Sequence, residues 1–365
     1  MVDYSAKIKD LEDELRKTKY NKATQGHIGI VKAKIAQLKQ KQESRSQKKT
    51  GRSEHGYSVR KSGDASVLLL GFPSAGKSTL LNKLTNADSE VGAYAFTTLS
   101  VVPGMMNYKE AKIQILDVPG IVSGAASGKG RGKEVLAVIQ NADMVLIVVD
   151  VTHPEHYPAI LREVWESRIR LNKKKPEVYI TKKAQGGIQI GKTVKLDIDD
   201  ETIRKVLRQF KIVNADILIR SPIDIDGLID CIEANRKYLP SVVCVTKSDL
   251  VSVSKVSKVK KELNADLTVS AEEDLNITLL KEKIFQHLDF IRVYMKEPRK
   301  EADMKEPMII FRDATIKDIC DKTHKDFAKK FKFARVWGKS AKFPGQRLML
   351  KHVMKDKDIL EIHLR

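Results

Sequence analysis

The residues best suited to chemistry fall in short motifs, most of them at the ends of strand-like apolar runs. Gly71-Phe72-Pro73-Ser74-Ala75-Gly76-Lys77-Ser78 fits the phosphate-binding pattern G-x-x-x-x-G-K-[ST], with Thr79 next in line. Its glycines let successive backbone N–H groups converge on phosphate oxygens, and a helix starting at Lys77 adds partial positive charge there. Lys77 is then placed for the β- and γ-phosphates and the Ser78 hydroxyl for Mg²⁺. Asp117-Val118-Pro119-Gly120 offers a carboxylate toward Mg²⁺, through water, and a glycine N–H able to sense a γ-phosphate. Between these motifs lies Phe96-Thr97-Thr98, where a switch threonine would contact Mg²⁺ and the γ-phosphate. Thr98 is favoured over Thr97, with little to separate them. In Thr246-Lys247-Ser248-Asp249, the Asp249 carboxylate can accept from the guanine N1–H and N2 amine, two donors that adenine lacks. The Lys247 stem would pack over the base, and backbone N–H groups at Ser270-Ala271 would meet the guanine O6.

These motifs need a scaffold that brings strand ends together. Ser66–Leu70, Lys112–Leu116, Met144–Val149, Val242–Val245 and the shorter Leu267–Val269 read as buried strands. Helical patterns at Lys77–Leu84, Lys133–Gln140, Pro158–Ile169 and Ile277–Leu288 separate them, which gives an α/β fold with a doubly wound parallel sheet. The interval 172–238 is too long for a loop. Its strand-like stretches Val178–Ile180, Gly187–Ile190, Val194–Ile198 and Asp216–Ile219, with helical Thr202–Phe210 and Gly227–Asn235, indicate an inserted α+β subdomain. The expected organisation is a helical hairpin and linker over 1–63, a nucleotide-binding domain over 64–171 and 239–289, the insert over 172–238, and a small mixed sheet with one helix over 290–365. In the hairpin, Gln25-Gly26-His27 reads as the turn and 44–63 as the linker. In the last unit Trp337 is expected in the core.

Hydrophobic residues make up 42% of the 365 positions and charged residues 31%, which excludes a collagen-like or wholly disordered chain. The longest apolar runs are strand-sized, so no membrane span is expected. Three cysteines without metal or disulfide spacing, and an N-terminus without a signal pattern, point to a cytoplasmic protein. His153-Pro154-Glu155-His156 reads as a loop after a strand rather than a zinc site. Residues 1–63 hold 16 basic and 7 acidic residues, and residues 290–365 hold 20 and 11. The middle holds 31 and 29, so 18 of the 20 excess positive charges sit at the two ends, as if a near-neutral core were flanked by segments that meet a polyanion.

The ordered motifs resemble those of a translation-factor-class GTPase. The run Gly71 to Leu81, the stretch Tyr94-Ala95-Phe96-Thr97-Thr98-Leu99, the glycine-rich run Gly120 to Gly132, Asn21-Lys22-Ala23-Thr24 and Ile169-Arg170-Leu171-Asn172 resemble the developmentally regulated GTP-binding family of Obg-related GTPases. The resemblance covers essentially the whole chain. It implies a P-loop GTPase with an N-terminal helical hairpin, an insert like one found in ribosomal proteins and a C-terminal β-grasp TGS domain. It also implies hydrolysis of GTP to GDP and phosphate with Mg²⁺, by a switch acting on ribosomes or translation. The expected partners are GTP or GDP, the ribosome or another RNA and a small regulatory protein, with no membrane and a monomeric chain. The expected nucleotide contacts are Gly71, Pro73, Ser74, Ala75, Gly76, Lys77, Ser78, Thr79, Asp117, Gly120, Thr246, Lys247, Asp249, Ser270 and Ala271. Lys77, Thr98 and Gly120 would serve catalysis, and Ser78, Thr98 and Asp117 the metal.

Two departures matter. The base motif begins with Thr246 where Asn is commoner; Thr bridges to the P-loop with less reach. Ile121 follows Gly120 where Ras-like proteins place a water-orienting glutamine, so hydrolysis without a partner is expected to be slow. Related GTPases hold K⁺ with a P-loop asparagine; the matching residue is Ser74, a poorer ligand, which leaves K⁺ as a candidate second cation. Lys129 and Arg131 are candidate internal cations, more simply solvated. The alternative is an RNA-binding or scaffold protein with a largely non-hydrolysing pocket. An ATPase is disfavoured by Asp249.

Overall fold

The computed structural model describes residues 4–50, 62–85, 102–117, 141–324 and 326–365. Helices α1 (Tyr4–Lys17) and α2 (Gln25–Thr50) precede β1 (Ala65–Leu70), α3 (Lys77–Leu84), β2 (Val102–Tyr108) and β3 (Ala111–Asp117). Next come β4 (Met144–Asp150), α4 (His156–Glu166), β5 (Ile169–Leu171), β6 (Val178–Lys182), β7 (Ile188–Lys192), α5 (Asp200–Gln209), β8 (Ala215–Ile219), α6 (Ile225–Glu233) and β9 (Lys237–Leu239). β10 (Ser241–Thr246), α7 (Val253–Glu262), β11 (Leu267–Thr268) and α8 (Ile277–Leu288) lead to β12 (Phe290–Met295), β13 (Met308–Phe311), α9 (Ile316–Thr323), α10 (Phe327–Lys330), β14 (Phe331–Trp337), β15 (Gln346–Leu348) and β16 (Asp358–Leu364). Two compact units result: residues 1–55 with 168–238, and residues 56–167 with 239–365. Among the described residues no helix is long and apolar enough to cross a membrane.

In the second unit a six-stranded sheet runs β11-β10-β4-β1-β3-β2. β1, β4 and β10 are buried along their whole length, as central parallel strands covered on both faces must be. The sheet is not wholly parallel: β2 adds an antiparallel edge, from Val102 opposite Asp117 to Tyr108 opposite Ala111. The sequence reading places no strand over 102–108, where Pro103 and Gly104 interrupt the apolar pattern. An edge strand tolerates Pro, and Gly104 is needed because an added Cβ would lie 2.5 Å from Thr85 Cγ2.

The C-terminal sheet runs β13-β12-β16-β14-β15, with β12 parallel to β16 and the other pairs antiparallel. This is the β-grasp arrangement. Ile316, Ile319 and Cys320 of α9 pack with Val293, Ala334, Val336 and Leu360 on one sheet face. Trp337 is not among them; strand alternation puts it on the opposite face, half-buried.

In the first unit, Ile8, Val31 and Ile35 of the two helices pack together with Leu11, Leu15 and Leu38. The other side of α2 joins the insert, where Ile28 and Ala33 share a core with Ile203, Val206, Leu207 and Leu228. The turn lies earlier than Gln25-Gly26-His27. Thr24 N–H donates to Asn21 Oδ1 (2.8 Å) and Asn21 N–H to Thr24 Oγ1 (3.0 Å), and α2 starts at Gln25. Gly29 is inside the helix because a Cβ there would lie 3.0 Å from Val206 Cγ2, so the glycine permits close approach of α5. Residues 44–50 continue α2 rather than opening a linker. They lack an apolar stripe, but Gln, Lys and Arg are good helix formers and no Gly or Pro intervenes before Gly51.

The insert sheet is β6-β8-β7. Val194–Ile198 forms no strand. Its alternating apolar residues pack on the insert core without ladder pairing, Ile198 being buried. Arg170, only 4% exposed, makes a two-pronged ion pair with Asp230 (2.7 and 2.9 Å), and Arg236 adds a contact to the same carboxylate (2.7 Å). Arg170 was legible only as part of a family-like string; its buried partner was not.

Candidate functional site

Parallel pairing aligns the carboxyl ends of the central strands, with Leu69 beside Asp117, Leu70 beside Ile147 and Thr246 beside Asp150. Chain connections diverge on either side of β1, the place where open α/β sheets bind ligands. The loop Gly71–Gly76 leaves β1 there and turns into α3. Gly71 has no room for a side chain, since a Cβ would lie 2.5 Å from the Val148 carbonyl oxygen. Gly76 caps α3 in a left-handed conformation (φ 82°), and Ser74 also takes positive φ (64°).

Lys77 Nζ donates to the loop carbonyls of Gly71 (3.1 Å) and Phe72 (3.0 Å), which holds the ammonium over the loop's own mouth. Burial pulls this ammonium below the ordinary lysine range, and the nearby Asp117 charge opposes that shift. Ser78 Oγ donates to Asp117 Oδ2 at 2.9 Å. Asp117 is buried, and its Oδ1 has no hydrogen-bond partner among the described residues. A serine hydroxyl beside an under-satisfied carboxylate is a hard-oxygen donor set, which fits Mg²⁺. Thr79 lies on the first turn of the same helix.

At the other side of the loop, Thr246 Oγ1 donates to the Ala75 carbonyl (2.8 Å), with the Val149 carbonyl at 3.2 Å. The shorter side chain therefore still ties the base motif to the P-loop. Lys247 takes positive φ (58°), and its ammonium pairs with Asp150 Oδ2 at 2.8 Å. Burial works to raise the Asp150 pKa, but hydrogen bonds from Lys247 and Thr152 outweigh it and hold the carboxyl below its usual range. Asp150 was missed in the sequence; the available signal was that it ends β4 as Asp117 ends β3. Phe72 was given no contact of its own, yet it stacks on His156 (4.0 Å between centroids).

Asp249 sits in a 3₁₀ turn, Ser248–Leu250, and its Oδ1 is buried without a partner among the described residues. The Ser248 N–H donates to the Val269 carbonyl (3.2 Å), which docks this turn against the end of β11. One expectation is corrected here. The Ser270 N–H is engaged by the Leu275 carbonyl (3.3 Å), and Ser270 Oγ accepts from Glu273 N–H (3.2 Å). Ser270 closes its own turn and does not offer its N–H outward. Thr97, Thr98, Gly120, Ile121, Lys129, Arg131 and the helix expected over 133–140 lie outside the described residues.

The Thr246 bridge makes a prediction. Thr246→Val keeps shape but leaves the Ala75 and Val149 carbonyls without this donor, a cost of about 1–3 kcal/mol. Guanine-nucleotide affinity is expected to fall about tenfold, measured by titration with a fluorescent GDP analogue. Unchanged affinity would show that the loop holds its shape without the bridge.

Residues 66–183 match the family model described as 50S ribosome-binding GTPase, residues 185–290 the model of the C-terminal region of that domain, and residues 291–364 the TGS domain. A GTP-binding protein of Methanocaldococcus jannaschii is 50% identical over 363 residues, covering 98% of this chain and 92% of the relative. The developmentally-regulated GTP-binding protein 2 homolog of Dictyostelium discoideum is 40% identical over 358 residues, and the human developmentally-regulated GTP-binding protein 2 is 38% identical over 358. Both alignments cover 98% of each chain.

Proposed function

Because the chain belongs to the developmentally regulated GTP-binding protein family, we propose that it binds GTP at this site and hydrolyses it to GDP and phosphate as a ribosome-associated switch. The observation that supports this reading is the pair of buried carboxylate oxygens without a partner among the described residues at the sheet's carboxyl end: Asp117 Oδ1 on the phosphate side and Asp249 Oδ1 on the base side. A buried acceptor without a donor costs free energy that a ligand recovers. Guanine brings two donors to Asp249, and Ala271 is left to read O6 where Ser270 is engaged.

Lys77 exchanges the Gly71 and Phe72 carbonyls for phosphate oxygens, whose negative charge offsets the desolvation of its ammonium. Ser78 and Asp117 would hold Mg²⁺, with Thr98 as the further candidate ligand, and the bound ion would offset the charge on the β- and γ-phosphates. The Gly120 N–H reads the γ-phosphate, and Ile121 next to it has no polar group to orient water, so turnover by the protein alone is slow. Ser74 is the P-loop position where K⁺ would add charge. The ribosomal part rests on the family model's description and on the two basic ends.

The test is phosphate release by purified protein in Na⁺ and in K⁺, with and without ribosomes. Sedimentation with ribosomes under GTP, GDP and a non-hydrolysable analogue completes it. Slow release that ribosomes accelerate, with nucleotide-dependent sedimentation, is expected. Absence of release under all conditions would remove the enzyme, and sedimentation indifferent to nucleotide would remove the switch.

A further inference from the structure

Read from sequence order, His153-Pro154-Glu155-His156 is a loop after a strand; folded, it gathers three metal-donor atoms. The turn forms because β4 ends in Asp150. Asp150 Oδ1 accepts from Thr152 N–H (2.8 Å) and Thr152 Oγ1 (2.6 Å), while its carbonyl accepts from His153 N–H (3.0 Å). A second tight turn follows at once: Pro154 presets its backbone, and His156 N–H donates to the His153 carbonyl (3.2 Å). His153 and His156 therefore stand with their rings stacked, 5.2 Å between centroids and 24° between planes. His153 Nδ1 lies 3.0 Å from Glu155 Oε1, and one ligating atom from each of His153, Glu155 and His156 lies within 4.8 Å of the other two. Glu155 is the N-cap of α4, but its side chain makes no capping hydrogen bond, which leaves the carboxylate to the imidazoles.

A simple ion pair accounts for His153 with Glu155 and for nothing else. It gives no reason for a second imidazole to bring a nitrogen to the same point. Two imidazoles and one carboxylate suit Zn²⁺ and its first-row neighbours, whereas Mg²⁺ and Ca²⁺ take oxygen ligands. Zn²⁺ held at about 2.1 Å sets its ligand atoms roughly 3.4 Å apart. The His153 and Glu155 side chains are 57% and 64% exposed, so small rotations bring the donors to that spacing without disturbing the core.

The cluster abuts the nucleotide pocket on two sides. His156 stacks on Phe72 of the phosphate loop (4.0 Å between centroids, 15° between planes), and the Phe72 carbonyl is one of the two that hold Lys77 Nζ. Thr152, next to His153, is bonded to Asp150, which pairs with Lys247 of the base motif. We propose that His153, Glu155 and His156 bind a divalent ion of the Zn²⁺ class, and that the bound ion braces the phosphate loop through the His156–Phe72 stack. Fixing the imidazole plane fixes the surface on which Phe72 rests, so the ion and a guanine nucleotide bind cooperatively. The cooperativity rests on the reading of the loop as a GTP site; the metal site does not.

The test titrates Zn²⁺ into the untagged full chain, stripped with chelator, with Mg²⁺ in excess so that Ser78 and Asp117 do not compete. Glu155→Gln and His153→Gln, both at exposed positions, are expected to weaken Zn²⁺ binding at least about tenfold, since even the outer partners of a metal site cost about 10- to 100-fold. His27→Gln is the control: on α2, His27 pairs with Glu14 (2.9 Å) much as His153 does with Glu155, and its loss is expected to leave Zn²⁺ affinity at the parent value. Zn²⁺ is expected to raise the affinity for a fluorescent GDP analogue about fivefold, and the analogue to raise Zn²⁺ affinity by the same factor. In Glu155→Gln that gain is expected to vanish while metal-free GDP affinity stays at the parent value. Parent-like Zn²⁺ binding by both variants, or an equal loss in His27→Gln, would overturn the site. Ca²⁺ bound as tightly as Zn²⁺ would overturn the donor assignment. Zn²⁺ binding that leaves GDP affinity unchanged would overturn the brace. Failure to bind the GDP analogue with or without Zn²⁺ would count against the GTP reading instead, and the Zn²⁺ titration would still decide the metal site.

Discussion

Asp249→Asn is expected to lower GTP affinity by about 10²- to 10⁴-fold and to turn the site toward xanthosine triphosphate. The carboxylate would accept from both guanine donors, and each charge-assisted hydrogen bond contributes about 1.5–3 kcal/mol. Asparagine keeps one acceptor and supplies one donor. That pattern is wrong for the guanine N2 amine and right for the carbonyl that xanthine carries at the same carbon. The structure sharpens the expectation, because Asp249 Oδ1 is buried and unpartnered among the described residues, so no internal bond competes with the base. Competition of GTP and xanthosine triphosphate against a fluorescent GDP analogue checks it. A GTP preference equal to that of the parent protein would remove Asp249 from base reading.

A second large effect concerns stability. Asp230→Leu is expected to destabilise the unit formed by residues 1–55 and 168–238 by about 3–5 kcal/mol. The Asp230 carboxylate is 5% exposed, and the guanidinia it joins, Arg170 and Arg236, are 4% and 11% exposed. Removing the carboxylate takes both charge-assisted bonds from Arg170, which stays almost wholly out of water, while Arg236 keeps its contact with Glu233 (2.6 Å). Denaturant unfolding followed by circular dichroism measures the loss, which should fall on one transition if the two units unfold separately. Guanine-nucleotide affinity is expected to hold, because the pocket residues belong to the other unit. A change below about 1 kcal/mol would mean that water replaces the lost partner.

The phosphate loop was legible because its chemistry is local. Gly71, Gly76, Lys77 and Ser78 are contiguous, and the conformation they require follows from missing Cβ atoms and a helix start. The buried strands β1, β4 and β10 were legible because unbroken apolar runs of strand length have few other homes. Local patterns also misled where they conflicted with position. Pro103 and Gly104 hid the edge strand β2, Gly26 posed as a turn, and the polar residues 44–50 concealed the end of α2. The Val194–Ile198 alternation reported burial without pairing.

Composition placed the excess positive charge at the chain's ends, and spacing placed a carboxylate on each side of a nucleotide. Those assignments need only residue type and order. Tertiary structure decided the rest: Lys247 against Asp150, Thr246 tied to Ala75, Ser270 engaged by its own turn, Arg170 paired with Asp230, and Trp337 on the outer face of its sheet. Each depends on which strand lies beside which and on which face a side chain takes. Such pairings join residues far apart in the chain, and a one-residue change of register reverses every face, so no local pattern encodes them.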